Sequence, residues 1–134
     1  MIRDPNNPCL FCNIKKSDII FDNKYAIVSF DTYPVSKFHS LIFPKRHVAN
    51  YFDMTDDELL GCNQLIKEIK KKIQNDDKTI KGFNIGSNSG KAAGQSIMHC
   101  HIHLIPRREG DVDNPQGGVR GVIPSKQHYI RKNK

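Results

Sequence analysis

The stretch His99-Cys100-His101-Ile102-His103-Leu104-Ile105 decides how the rest of this chain is read. Side chains of a strand alternate between its faces, so a strand here puts His99, His101 and His103 on one side. Cys100, Ile102 and Leu104 fall on the other, which has the composition of a core. The three imidazoles then stand about 6.5 Å apart along one face. A lone histidine is ordinarily a packed or solvated residue. Three in strict alternation, backed by an apolar face, point instead to chemistry. Two chemistries use such an array. A His-x-His pair on a strand can direct both rings at one catalytic metal ion. Alternatively one neutral imidazole, competent near pH 7 because its ordinary pKa is about 6.5, is the nucleophile while its neighbours stabilise charge.

The preceding loop, Ser87-Asn88-Ser89-Gly90-Lys91-Ala92-Ala93-Gly94-Gln95-Ser96, favours attack at phosphorus. Gly90 and Gly94 let backbone approach an anion closely, and successive N–H groups around Gly94-Gln95-Ser96 can hold its oxygens. Asn88, Gln95 and Ser96 add neutral donors, and Lys91 adds charge. By itself this is an ordinary turn composition; its place directly before the histidines gives it weight.

Outward from this centre, Ile19-Ile20-Phe21, Asp22-Asn23-Lys24 and Tyr25 to Phe30 read as strand, turn, strand. Ser40-Leu41-Ile42-Phe43 is a third strand ended by Pro44, Phe83-Asn84-Ile85 a fourth, and Ile97 to Ile105 a fifth. One helix is expected over Asp56 to Gln74, with Thr55 and Glu58 at capping-box spacing and Met54 and Leu59 placed as a hydrophobic staple. Leu59, Cys62, Ile66, Ile69 and Ile73 form its buried stripe. The order predicts an α+β fold: a mostly antiparallel five-stranded sheet with one main helix and an irregular C-terminal tail. A doubly wound parallel sheet needs more crossover helices than this chain has. Residues 1–134 are expected to form one domain, its core about 9–107 and its tail 108–134.

Of the 134 residues, 37% are hydrophobic, enough for a packed core. No apolar run reaches the ~18–20 residues that span a bilayer, and Met1 to Asn7 lacks the apolar stretch of a signal peptide. Integral membrane proteins are excluded, and a cytoplasmic location is expected. Lys and Arg number 21 against 14 acids, a net charge of +7 that favours anionic partners. Much of that excess, Lys67, Lys70, Lys71, Lys72 and the tail Arg131-Lys132-Asn133-Lys134, reads as solvated surface. The four cysteines, Cys9, Cys12, Cys62 and Cys100, are expected to be reduced. Cys62 lies in the helical stripe. Cys9 and Cys12 form a Cys-x-x-Cys pair, which fits metal binding or redox chemistry, and the helix that follows a redox pair is missing.

Gly94-Gln95-Ser96-Ile97-Met98-His99-Cys100-His101-Ile102-His103-Leu104 resembles the signature of the histidine triad (HIT) superfamily of nucleotide hydrolases and transferases. The resemblance extends through Phe38-His39-Ser40-Leu41-Ile42-Phe43-Pro44-Lys45-Arg46-His47 and Cys9-Leu10-Phe11-Cys12-Asn13-Ile14. The continuation Pro106 to Asp111, with Gly117-Gly118-Val119-Arg120-Gly121-Val122-Ile123-Pro124, is similar to members described as dinucleoside polyphosphate hydrolases.

The resemblance implies that His101 is the nucleophile taking up a nucleoside monophosphoryl group, that His103 hydrogen-bonds the phosphate region or leaving-group oxygen, and that His39 supports the site. It implies phosphate contacts from Asn88, Gly94, Gln95 and Ser96, a ribose contact from Asp31, and an apolar base pocket including Leu10, Phe11 and Ile14. It further implies a structural zinc on Cys9, Cys12, His47 and His99, no catalytic cofactor, and a homodimer. An adenine nucleotide is the expected substrate, with diadenosine tetraphosphate and its relatives first and an adenosine 5′-monophosphoramidate as the alternative. Arg120 and Lys126 are candidates to meet a polyphosphate leaving group. A reading of another class is a basic zinc module that binds nucleic acid or a protein.

Overall fold

The strand Ser40–Pro44 (β3) is buried along its whole length and lies at the middle of the sheet. A strand covered on both faces reads as a continuous apolar run, as Leu41-Ile42-Phe43 does. The computed structural model describes residues 8–132. Met1 to Asn7, read above for a leader, and Asn133 and Lys134 of the basic tail lie outside the described residues.

Around β3 are Phe21–Asp22 (β1), Ala26–Phe30 (β2), Gly82–Gly86 (β4) and Ile102–Arg107 (β5), in the order β1-β2-β3-β5-β4 with every pair antiparallel. The helix Asp56–Asp76 (α1) covers one face, where Ala26, Val28, Ile42, Ile102 and Leu104 meet its apolar stripe. The opposite face carries Ile27, Leu41 and Phe43 beneath Phe11, whose ring stacks on Phe43 at 4.4 Å. The α+β expectation holds.

Element bounds differ from the sequence reading: β1 is Phe21–Asp22 and not Ile19 to Phe21, α1 runs two residues past Gln74, and β5 is shifted at both ends. β5 starts at Ile102, not Ile97: the β3–β5 ladder ends at the Ile42–Ile102 pair although β3 itself continues to Pro44. Upstream, the backbone leaves the ladder and bonds elsewhere: Cys100 N–H donates to Val48 O at 2.7 Å, and Ser87 Oγ donates to His101 O at 2.7 Å. β5 also runs through Pro106 to Arg107, two residues beyond the expected end. Pro106 is tolerated because β3 pairing stops at Leu104, and on that side its carbonyl accepts the Ser36 hydroxyl at 2.8 Å.

The helix has the expected capping box, with Glu58 N–H on Thr55 Oγ1 and Thr55 N–H on Glu58 Oε1. Its buried stripe is Cys62, Leu65, Ile69 and Ile73; Leu59 and Ile66 are only partly buried on its flank. Leu65 continues the i, i+3, i+4 spacing from Cys62 to Ile69, and Ile66 sits one position round the helix from it. Glu58, buried at the start of the stripe, is held by the Arg46 fork at 2.8 and 3.0 Å.

Candidate active site

His39 and His103 come from adjacent strands. β3 begins directly after His39, and His103 faces Leu41 across the β3–β5 pair. Phe38, in the turn before β3, holds a left-handed backbone conformation with φ 73°, a sparsely populated state for a bulky residue. No sequence signal marks it, and it directs the chain into His39.

Hydrogen bonds then fix the protons. His39 Nδ1 accepts the Val35 N–H at 3.1 Å, so the neutral ring carries its proton on Nε2. That Nε2 lies 2.9 Å from His103 Nδ1, which must accept. His103 is therefore protonated on Nε2, and this N–H is buried without a partner among the described residues. An orphaned buried donor is costly until a ligand accepts from it. Burial lowers the His39 pKa against the opposing pull of Asp31. Burial, then the neighbouring His101 and His39 rings, lower that of His103 to about 4. Both rings are neutral at pH 7.

His101 Nδ1 lies 2.8 Å from the carbonyl oxygen of His99 and donates to it. The Nε2 lone pair is thereby left for chemistry. The ring is buried, 8% exposed, with its edge toward Phe11 at 5.0 Å between centroids. It is not on the open strand face that simple alternation implies, because residues 97–101 precede β5.

His101 and His103 line a cavity of about 950 Å³. Leu10, Phe11, Ile14, Asp31, Asn88, Gly94 and Ser96 line it too, so the expected apolar, ribose-side and phosphate-side residues meet in one space. Gly94 takes φ 92°, a conformation that favours glycine. Gln95 differs from expectation. It is buried, and its amide is engaged by Ala49 O, Ile97 O and Gly90 N–H, so it shapes the loop and does not line the cavity. Phe30, Thr32 and Tyr33 flank Asp31 in the wall. No motif in the sequence marks them as wall residues; only Asp31 in that segment matches one. Arg120 is also placed differently: its guanidinium folds onto Lys126 O at 2.8 Å and Gln127 O at 3.2 Å, away from the cavity.

The remaining triad histidine belongs to a second cluster. Cys9, Cys12, His47 and His99 offer ligand atoms all within 4.8 Å of one another. Cys9 Sγ lies 3.3 Å from His99 Nδ1, Cys12 Sγ 3.3 Å from His47 Nδ1, and the two Nδ1 atoms 3.2 Å apart. Tetrahedral metal–sulfur and metal–nitrogen bonds near 2.3 and 2.0–2.1 Å set ligand atoms roughly 3.3–3.8 Å apart, close to these separations. The outer ring nitrogen of His99 meets Pro44 O at 2.7 Å, which places the proton on Nε2 and turns the Nδ1 lone pair toward the cluster. These residues fit a closed four-ligand metal site.

The HIT domain profile matches residues 13–110. This chain is a member of the HIT family. It is 39% identical over 108 residues to an uncharacterised HIT-like protein of Methanocaldococcus jannaschii, covering 77% of this chain and 81% of that protein. It is 35% identical over 105 residues to the adenosine 5′-monophosphoramidase of Saccharomyces cerevisiae, covering 75% and 63%. A zinc-bound histidine triad family protein from Mycobacterium smegmatis superposes with a TM-score of 0.69 at 27% identity, covering 95% of this chain and 84% of that one. The HIT assignment makes the chain a nucleotide hydrolase, and the antiparallel α+β sheet described above is the HIT fold. No helix among the described residues is long and apolar enough to cross a membrane.

Proposed function

We propose that this HIT protein hydrolyses an adenosine 5′-phosphoramidate through a nucleotidyl-His101 intermediate. The observation that carries the reading is the His101 Nδ1 bond to His99 O, which leaves Nε2 as the ring's lone pair on the cavity wall. Attack forms the Nε2–P bond as the P–N bond of the substrate breaks, and the departing amine takes a proton from solvent. Water then attacks the phosphorus, loses a proton to solvent and breaks the Nε2–P bond. The nucleoside 5′-monophosphate leaves and His101 is restored. The unpartnered Nε2–H of His103 and the donors Asn88 and Ser96 supply fixed hydrogen bonds for the phosphoryl oxygens. Asp31 faces the ribose, and Leu10, Phe11 and Ile14 the base.

The second reading, a dinucleoside polyphosphate, is favoured by the likeness of the tail segment to that branch. The phosphoramidate stands first because relatives named for it match at 35% and 31% identity, and because Arg120 is committed within the tail. The experiment is a panel of adenosine 5′-phosphoramidate and diadenosine tetraphosphate with trapping of His101-linked nucleotide by denaturation in alkali, which preserves the acid-labile N–P bond. Absence of any labelled His101 with either substrate overturns the mechanism.

The Cys9, Cys12, His47 and His99 cluster is proposed to hold a structural zinc: four protein ligands leave no open position for water. Its thiolates fit a reducing compartment such as the cytoplasm. Exposed Phe52 in the turn before α1, Leu60 on α1 and Ile85 on β4 are proposed as a homodimer face, to be tested by sedimentation of Leu60→Glu.

A further inference from the structure

The C-terminal tail builds a second cavity. The chain after β5 is tied back at its start by Arg107, whose guanidinium grips both Asp111 oxygens at 2.8 and 2.9 Å and Asn84 Oδ1 at 2.7 Å. Farther on, Arg120 binds the Lys126 and Gln127 carbonyls and lies 4.7 Å over the Tyr129 ring. Gly117, with φ 72°, lets Gln127 O come so close that any Cβ there would collide with it. Gly118 rests directly against the Asn84 side chain of β4. The tail is thus a cross-braced loop set against β4.

Between this loop and the sheet lies a cavity of about 850 Å³. Its apolar lining comes from Ile105 on the sheet and from Val112, Val119 and Val122 on the tail. His103 and Asn88 line both this cavity and the one that holds His101. The two spaces therefore meet at the residues that face the phosphoryl group. A substrate whose nucleoside fills the first has its leaving group at the mouth of the second.

The charges of the second cavity select among leaving groups. Its one Arg or Lys side chain among the described residues is Arg107, already neutralised by Asp111. His128 is held by Asn114 O at 3.0 Å. Arg120 and Lys126 do not line it, while Asp111 and Asp113 do. A polyphosphate would enter this space with no uncommitted cation to balance it, at a large desolvation cost. An amine with an apolar body meets valine and isoleucine side chains and no repulsive charge.

We infer that the cavity between the tail and β4–β5 is the leaving-group subsite, and that it takes an amine carrying an apolar body. The inference rests on the phosphoramidate reading and adds to it the class of amine and the part of the chain that selects it. The bond broken is the same α-P–N bond, with the amine leaving on a proton from solvent.

The test compares kcat/KM for three adenosine 5′-phosphoryl substrates: the unsubstituted phosphoramidate, the phenethylamine phosphoramidate and diadenosine tetraphosphate. The phenethylamine compound is expected to exceed the unsubstituted one at least tenfold in the wild-type chain. Val119→Trp, which fills the cavity from an exposed tail position, is expected to collapse that ratio towards one. Val122→Lys, which adds a free cation, is expected to raise the rate on diadenosine tetraphosphate relative to the phenethylamine compound. Arg120→Ala, which unlatches the tail, serves as a further ratio measurement should Val119→Trp fail to fold. A wild-type ratio near one that no tail variant changes overturns the subsite while leaving phosphoramidate hydrolysis intact. Faster wild-type turnover of diadenosine tetraphosphate than of both amidates overturns the leaving-group class. No turnover of either amidate overturns the underlying reading and the subsite with it.

Discussion

His39 Nε2 lies 2.9 Å from His103 Nδ1, and this one contact determines which nitrogen of His103 carries the proton. His39 is itself oriented by the Val35 N–H. His39→Leu removes the donor and frees His103 to take the other tautomer. The expected loss in kcat is about ten- to a hundredfold, with KM little changed. His39→Gln, whose side-chain amide can still donate to His103 Nδ1, is expected to recover part of it. Equal rates for the two variants would remove the tautomer role.

His101→Ala is expected to lower turnover by at least about a thousandfold, the scale seen when a covalent nucleophile is removed. Because the ring packs against Phe11 and is buried, the substitution also carries a stability cost of about 1–3 kcal/mol. Circular dichroism and a denaturant midpoint separate the two effects: the folded fraction stays near complete at 25 °C while activity vanishes.

Metal removal is expected to act on stability. A strong chelator should lower Tm by about 10 °C or more, since binding free energy at a closed site is folding free energy. Cys12→Ala should show the lowered Tm at the outset and no further response to chelator. Elemental analysis of the wild type, purified without chelator, should return one zinc per chain.

The pH dependence follows from His103. Its pKa is near 6.5 in an unfolded chain and about 4 when folded. Between those values the unfolded chain binds the extra proton, so stability falls as pH drops from about 6.5 to 4 and is unaffected by this group above 6.5. His39, also lowered by burial, adds to the trend, and Asp31 beside it opposes. Urea midpoints at pH 7, 6 and 5 are expected to decline in the wild type and more shallowly in His103→Gln. Parallel declines would show that His103 does not supply the slope.

The patterns that carried through from sequence to structure were local ones. The Thr55–Glu58 capping box and the apolar run of β3 each encode their geometry within a few residues. The start of β5 is less legible, since it depends on where the β3–β5 ladder ends, a contact between segments 60 residues apart in sequence. Gln95 looked like a phosphate donor by type and position, yet its amide found Ala49 and Ile97. Its neighbours Gly94 and Ser96 remain on the cavity wall. Arg120 is a similar case: no periodicity announces that a guanidinium will serve carbonyls six and seven residues ahead. The left-handed Phe38 left no trace in composition, because only the surrounding turn makes that conformation tolerable.

One short segment, Cys9 to Phe11, has two duties. Cys9 offers a thiol to the metal cluster while Leu10 and Phe11 wall the cavity in which His101 waits. On the proposed zinc and base-pocket assignments, stripping the ion is expected to slacken the grip on the nucleobase before it touches the bond-breaking step. A cell short of that ion would hold an enzyme whose saturation point drifts upward while its maximal speed lags behind the change.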